Sequence, residues 1–251
     1  MRIAVVSDIH GNLTALEAVI ADLRSLTPDL VMFGGDLADG GARPAEVLDR
    51  VRALGWDSVL GNVDEMLFRP EALEAFAGLA VQANALRAKT GVWEAVHANA
   101  AATRAALGEE RVAWLAGLPR ELREEGFALV HARPGDCWRA PAMDASEEEL
   151  TEVYGPLGAA VVVYGHTHLP GVRRLGNGLI VVNAGSVGLP FDGDARASYA
   201  VVEEAQGGSG SAVIRRVEYD VESEIAELAA CGLPGAAWTA KMIRAKGPAM
   251  P

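Results

Sequence analysis

The sequence predicts an α/β protein with two β-sheets packed on each other, and two features of the chain support this. In the first quarter, short runs of β-branched residues alternate with segments of helical periodicity, a pattern typical of a parallel sheet with crossover helices. In the second half, strand-like runs separated by glycine-containing turns predominate, which indicates largely antiparallel strands and a second sheet. The chain has 251 residues, of which 50% are hydrophobic and 22% charged, so it can build a buried core.

The first five predicted elements alternate strictly between strand and helix. Residues 3–6 form a short apolar run, and residues 12–26 carry leucine, valine and isoleucine at helical spacing behind Asn12, which can cap a helix. The alternation continues with a strand at 30–33, a helix at 44–54 and a strand at 58–60. Polar residues follow each strand, at the carboxyl ends where parallel sheets hold their ligands.

The middle of the chain changes to an alanine-rich helical texture. Residues 65–118 contain few helix breakers, among them Gly78, Gly91 and Gly108. We therefore predict a helical insertion that packs over or beside the sheet, within a single domain that spans residues 1–251.

Strand signals return in the second half. They lie at residues 127–130, 160–164, 171–182, 199–203 and 212–217. A glycine-asparagine-glycine sequence predicts a turn within 171–182, and the glycine-rich residues 207–210 predict a hairpin loop between the last two strands. Residues 222–230 predict a closing helix, whereas the tail from Gly232 onward shows no clear pattern.

Charge and composition restrict the partners of the chain. The formal net charge is −12 and the isoelectric point is near 4.9. An acidic chain repels a phosphate backbone, so nucleic acid is not an expected partner, whereas a small anion could bind to a positive centre held in a pocket. No stretch approaches the ~18 apolar residues of a membrane span, and the apolar run at the start is too short for a signal peptide. Cys137 and Cys231 form no paired motif, and we predict a cytoplasmic protein with no membrane partner.

Histidine is scarce, with five copies, yet four of the five follow predicted strands. Oxygen-bearing side chains lie at equivalent strand ends. The combined set is Asp8, His10, Asp36, Asn62, His131, His166 and His168. Imidazole and carboxylate ligands suit divalent metal ions, and one shared carboxylate can bridge two ions about 3.5–4 Å apart.

Each member of this set also has an ordinary interpretation. Asp36 follows two glycines and could be a turn former or a helix cap, and Asn62 could be a simple turn residue. His131 at the end of an apolar strand could be a core histidine with satisfied hydrogen bonds. His166 and His168, two residues apart beside a glycine, have no obvious packing purpose. The ordered set is therefore more specific than any of its members.

In order and spacing, these residues resemble the five-block signature of the calcineurin-like metallophosphoesterases, and in particular its small prokaryotic phosphodiesterases. The resemblance spans about residues 2–190 and includes Asn183-Ala184-Gly185-Ser186, where the family usually has Asn-Pro-Gly-Ser. It implies a four-layer α/β/β/α sandwich of two mixed β-sheets flanked by helices, with the helical insertion described above.

The resemblance also implies a site for two divalent metal ions. It assigns the first ion to Asp8, His10 and His168, the second to Asn62, His131 and His166, and a bridging position to Asp36. Manganese is the expected metal, and iron, zinc, cobalt and nickel also suit nitrogen and oxygen ligands. Because two such ions outweigh two aspartates and a bridging hydroxide in charge, an acidic chain can still offer an anion site.

We therefore predict a metal-dependent phosphoric ester hydrolase, in which a metal-bridging hydroxide attacks a phosphodiester or another activated phosphoester. Asn62 and Arg133 are candidate contacts to the substrate phosphate, although Arg133 could also be a solvated loop residue. The alternatives are a protein phosphatase, a dinucleoside polyphosphate hydrolase and, in another class, a non-catalytic interaction scaffold of the same fold. The expected partner is a small phosphoester substrate, and the sequence leaves a homo-oligomer open.

One departure from the family pattern concerns proton transfer to the leaving group. Many family members carry histidine after the Gly-Asn pair, where this chain has Val63. Valine donates no proton, so we expect activated leaving groups to be hydrolysed better than simple alkyl phosphates. His97, within the insertion, is a candidate replacement, and its ordinary interpretation is a residue on or between helices.

Overall fold

Two mixed five-stranded sheets form the frame of the molecule, and the computed structural model describes residues 1–75, 91–204 and 210–251. The strands are β1 Arg2–Val6, β2 Leu30–Phe33, β3 Asp57–Ser58, β4 Glu121–Glu124, β5 Phe127–Val130, β6 Val161–Tyr164, β7 Gly171–Arg174, β8 Ile180–Asn183, β9 Ala197–Glu204 and β10 Gly210–Val217. The helices are α1 Leu13–Leu26, α2 Pro44–Leu54, α3 Asn62–Glu65, α4 Val92–Ala116, α5 Glu147–Tyr154, α6 Val221–Ala230 and α7 Ala236–Ala245.

The strand order is β10-β9-β1-β2-β3 in the first sheet and β4-β5-β6-β8-β7 in the second. β1, β2 and β3 run parallel, which confirms the predicted alternation. The expectation of largely antiparallel strands in the second half is correct for β4–β5, β7–β8 and β9–β10, but it missed two features. β5, β6 and β8 form a parallel centre of the second sheet, because α5 serves as a crossover between β5 and β6. The antiparallel pair of β9 and β10 instead joins the first sheet, where β9 pairs antiparallel with β1, and residues 207–209 of the predicted hairpin loop lie outside the described residues.

The two sheets pack face to face, and helices cover their outer faces. Along β1, Ile3 and Val5 point into the core between the sheets, whereas Ala4 and Val6 point toward the helices. The core under α1 and α2 and the core under α5 are separate from the one between the sheets. This arrangement confirms the four-layer α/β/β/α sandwich.

Local side-chain chemistry sets the start of α1, and a single long helix forms much of the predicted insertion. The Asn12 side chain accepts a hydrogen bond of 2.9 Å from the amide of Ala15 and caps α1. α4 supplies most of the described part of the predicted insertion and is interrupted at Gly108, which has φ 72°. α4 packs beside α2. Residues 76–90 of the predicted insertion lie outside the described residues.

The segment after Gly232, for which the sequence predicted no element, forms α7. Ala236, Ala240 and Ile243 are buried at helical spacing and pack with α6 in a fourth apolar cluster. This spacing in the sequence is itself a signal for a helix, and it was not predicted as one. None of the helices in the described part of the chain is long and apolar enough to cross a membrane.

Candidate metal centre

The predicted ligands all lie just beyond the carboxyl ends of strands from both sheets. Asp8 and His10 follow β1, and Asp36 follows β2. Asn62 follows β3 and begins α3. The three remaining histidines follow strands of the second sheet: His131 after β5, and His166 and His168 after β6. Because parallel strands end at the same edge, and the two sheets are stacked with these edges together, residues distant in sequence converge.

The convergent side chains form two groups that share one carboxylate. The first contains Asp8, His10, Asp36 and His168, and the second contains Asp36, His131 and His166. Within each group the candidate ligand atoms all lie within 4.8 Å of one another. Asn62 adjoins the second group, since its Oδ1 lies 3.0 Å from Nε2 of His131 and 2.8 Å from Nδ1 of His166.

Three of the imidazole rings are oriented by backbone carbonyl groups. Nδ1 of His10, His131 and His168 lies 2.7–2.8 Å from the carbonyl oxygens of Asp39, Gly34 and Leu189, respectively. A carbonyl oxygen only accepts hydrogen bonds, so each Nδ1 carries a proton and leaves the Nε2 lone pair directed at the cluster when the ring is neutral.

The distances between these Nε2 atoms and the neighbouring carboxylate oxygens show whether the site fits a metal ion. Nε2 of His10 and Nε2 of His168 are 3.1 Å apart, and Nε2 of His168 is 3.2 Å from Oδ1 of Asp8. Nε2 of His131 is 3.4 Å from Oδ2 of Asp36. Electron-rich atoms at such distances repel one another unless a proton or a metal cation lies between them. The donor set of imidazoles, carboxylates and an amide oxygen therefore fits divalent metal ions.

The backbone at the site is strained. Asp8, His10, Asp36, His166 and His168 have φ values between 50° and 65°, in the left-handed region. Within the described chain only Thr27 and Lys246 share this feature among residues other than glycine, and both lie at helix ends. Left-handed backbone at residues with side chains costs free energy and is concentrated at functional sites.

Glycines allow the ligand loops to approach one another closely. A Cβ atom on Gly61 would overlap the carboxylate of Asp36, and a Cβ atom on Gly165 would overlap the carboxylate of Asp8. The glycines beside the predicted ligands thus leave space for those ligands.

The electrostatics of the cluster favour positive charge. Burial would raise the pKa of Asp36, but His131 and His10 outweigh it and keep this pKa below its usual range. Burial would lower the pKa of His131, but Asp36 outweighs it and raises the pKa to about 9. Burial and the neighbouring His131 lower the pKa of His166 to about 4. At neutral pH the imidazole of His131 therefore carries an extra proton, whereas the imidazole of His166 stays neutral.

Asp64 supports the ligand loops from below the cluster. It is fully buried, and burial together with Asp36 raises its pKa to about 7. Its carboxylate accepts hydrogen bonds from the amides of Leu37, at 3.0 Å, and Gly61, at 3.4 Å. It therefore links the loop that carries Asp36 to the loop that carries Asn62.

A cavity of about 360 Å³ opens onto the cluster. His10, Asp36, Asn62, His166 and His168 line its base. Its sides include Val92, Val96 and Asn99 of α4, Phe191, and Trp238 and Met242 of α7. These side residues were not predicted from the sequence, although Val92, Val96 and Asn99 recur at the spacing of one helix face.

The two other predicted contacts are not among the described residues that line this cavity. Arg133 donates a hydrogen bond of 2.9 Å to Asp136 within its own loop. His97 lies on α4 beside the face that carries Val96 and Asn99, and it is half-buried. Val63, by contrast, lines the cavity, and its amide donates a hydrogen bond of 3.0 Å to Oδ1 of Asp36.

The fold and the cluster define a metallophosphoesterase-like protein, and comparison with known families agrees. The profile of the calcineurin-like phosphoesterase superfamily domain matches residues 1–207. The chain belongs to this superfamily, whose members include phosphoester hydrolases.

Similar proteins extend over almost the whole chain. MJ0912, an uncharacterized protein of Methanocaldococcus jannaschii, is 29% identical over 252 residues, which cover 92% of this chain and 93% of the relative. The crystal structure of a metallophosphoesterase from Sphaerobacter thermophilus has a TM-score of 0.74 and 26% identity, covering 98% of this chain and all of that one. The structure of the hypothetical protein PH1004 from Pyrococcus horikoshii has a TM-score of 0.80 with 99% coverage of both chains, and at 19% identity it shows the fold alone.

We expect Asp64→Ala to weaken the binding of a divalent metal ion by about tenfold or more, because removal of a group that orients metal ligands typically has an effect of this size. Titration calorimetry with Mn²⁺ measures the change. Asp144→Ala, which removes an exposed carboxylate outside the cluster, is the matched control. Equal affinity in a folded Asp64→Ala protein would show that the loops hold the ligands without this carboxylate.

Proposed function

We propose that this protein is a dinuclear metal-dependent phosphoesterase that hydrolyses phosphodiesters or other activated phosphoesters. One observation carries the proposal: two groups of candidate ligand atoms share Asp36 at the base of a cavity. A shared carboxylate between two ions is the arrangement that suits an in-line displacement at phosphorus.

The chain would hold each ion through side chains that are already oriented. Asp8, His10 and His168 would bind the first ion, Asn62, His131 and His166 the second, and Asp36 both. When bound, divalent ions polarise phosphoryl oxygens and lower the pKa of a coordinated water molecule. Manganese is our first choice among manganese, iron, zinc, cobalt and nickel, all of which accept this nitrogen and oxygen set.

The residues of the chain contribute mainly by orientation. The three Nδ1–carbonyl hydrogen bonds prevent His10, His131 and His168 from rotating away from the cluster. The amide of Val63 holds Oδ1 of Asp36, which leaves Oδ2 toward His10 and His131. Such preorganisation reduces the rearrangement that the reaction requires.

The alternative functions differ in what they require of the site. A polyphosphate or phosphoprotein substrate brings extra negative charge, yet the described residues that line the cavity include no lysine or arginine. A scaffold protein does not need a complete set of metal ligands held by strained backbone. Here all seven predicted ligands converge, and five of them have left-handed backbone. Both observations favour hydrolysis of a small phosphoester.

We expect purified protein loaded with Mn²⁺ to hydrolyse bis(p-nitrophenyl) phosphate, because this diester has an activated leaving group. Removal of the metal with a chelator should abolish the activity, and added Mn²⁺ should restore it. Release of p-nitrophenolate measures the rate. Absence of hydrolysis by protein with full metal occupancy would favour the scaffold function.

The shared position of Asp36 makes a distinct prediction for metal content. Asp36→Asn should lower occupancy at both positions, whereas Asp8→Asn should lower it chiefly at one, because only Asp36 belongs to both groups. Elemental analysis of the dialysed variants gives the number of ions per chain. Two retained ions in the Asp36→Asn protein would contradict the bridging assignment.

Val63 should make the rate depend steeply on the pKa of the leaving group. We expect Val63→His to raise the rate on poor leaving groups such as alkyl esters by up to about 10²-fold, because a positioned general acid typically contributes about 10²–10⁴-fold. Rates over a series of aryl and alkyl esters provide the test. Val63→Gln is the matched control, since it adds a polar side chain without an acid. Fast alkyl hydrolysis by the unaltered protein would refute the prediction.

A further inference from the structure

We propose that the cavity selects a phosphoester with an uncharged, apolar substituent, which lies against a surface built by α4 and α7. This inference rests on the proposed function, because the cluster would hold the phosphoryl group. We call this surface the apolar wall and define it as Val92, Val96, Phe191, Trp238 and Met242.

The apolar wall is continuous with the metal ligands. The ring of Phe191 lies against the ring of His168, with centroids 4.5 Å apart. The same cavity contacts His10, Asp36 and Asn62 at its base. A molecule whose phosphoryl group reaches the cluster must therefore place its substituent beside these side chains.

The polar groups among these side residues are already engaged within the protein. Asn99 donates to Oδ1 of Asp39 at 3.0 Å and accepts from the amide of Gly235 at 2.9 Å. The hydroxyl of Thr239 donates to the carbonyl of Gly40 at 2.6 Å.

The indole of Trp238 is engaged in the same way, since its Nε1 donates to the carbonyl of Ala249 at 2.7 Å. A hydroxylated substituent such as a sugar would thus lose hydrogen bonds to water and find few replacements, whereas a hydrocarbon or aromatic group would lose none.

Charge and size restrict the substituent further. Asp36 and Asp39 line the cavity, and no lysine or arginine stands among its described lining residues. A second phosphate would therefore meet carboxylates without a compensating side chain. A volume of about 360 Å³ lies near the lower end of the range for small-molecule sites, so it suits one ring or a short branched chain beside the phosphoryl group.

The apolar wall combines Val92, Val96 and Phe191, which lie in the region that matches the family, with two residues from outside that region. The profile match ends at residue 207, whereas Trp238 and Met242 lie on α7. All seven predicted metal ligands lie within the match. The residues outside it thus supply one side of the cavity, and we assign substrate choice in part to α7.

The test compares phosphonates that carry the same charged head and different substituents. Propylphosphonate and 2-hydroxyethylphosphonate have nearly the same shape, but one ends in a methyl group and the other in a hydroxyl group. Titration calorimetry with the Mn²⁺-loaded protein should show propylphosphonate binding at least about tenfold more tightly than its hydroxylated partner. Phenylphosphonate should bind more tightly than both, because it buries more apolar area. Inorganic phosphate serves as the probe for the head alone.

Variants of α7 show whether the apolar wall causes the preference. Met242→Gln places an amide in the wall without a large change of volume, and the ratio of the propyl and hydroxyethyl affinities should fall about threefold or more. Trp238→Ala should lower the phenylphosphonate affinity relative to inorganic phosphate. Lys241→Gln makes a matched substitution at an exposed position of the same helix and should leave both ratios unchanged.

The outcomes separate this inference from the proposed function. If inorganic phosphate binds and bis(p-nitrophenyl) phosphate is hydrolysed, but hydroxyethylphosphonate binds as tightly as propylphosphonate, the substrate class is wrong and the function stands. An unchanged ratio of the propylphosphonate and hydroxyethylphosphonate affinities in the Met242→Gln protein would contradict the assignment of substrate choice to α7. If the metal-loaded protein neither binds phosphate nor hydrolyses the diester, both proposals fall.

Discussion

The contact between Asp36 and His131 joins the two sheets at the point on which the site depends. Asp36 follows β2 of the first sheet and His131 follows β5 of the second, and their ligand atoms lie 3.4 Å apart. The contact depends on the packing of the inner faces of the sheets through an apolar core, with Val5 and Met32 on one side and Val163 on the other. A shift of one sheet along the other would separate the two groups of candidate ligands.

The strained backbone at the ligands is supported by hydrogen bonds between their loops. The amides of Asp8 and His10 donate to the carbonyl oxygens of Gly35 and Asp36, both at 3.0 Å. The amide of Gly165 donates to the carbonyl of His131 at 2.9 Å. Backbone groups of one loop thus complete the hydrogen bonds of another, and left-handed conformations persist because the surrounding structure determines them.

The chemistry of the cluster and the shape of the cavity come from different parts of the chain. The candidate ligands depend on the carboxyl ends of five strands, which the whole sandwich positions. The sides of the cavity depend on α4 and α7, which pack around the edge of that sandwich. A protein with this division can keep the same candidate ligands while the sides of its cavity change, and the two parts meet where Phe191 packs on His168 and where Asn99 donates to Asp39.

The sequence by itself determined the elements with strong local signals, because a capped periodic run such as that behind Asn12 folds by rules that act over a few residues. It also singled out the seven residues whose side chains converge in the structure, since strand-end histidines and aspartates beside glycines are few and ordered. Only the tertiary structure placed β9 and β10 in the first sheet, because strand pairing between distant segments depends on which buried faces match. It likewise decided that Arg133 turns to Asp136 while Trp238 reaches the cavity, since the direction of a side chain at the rim is set by neighbours that lie far away in the chain.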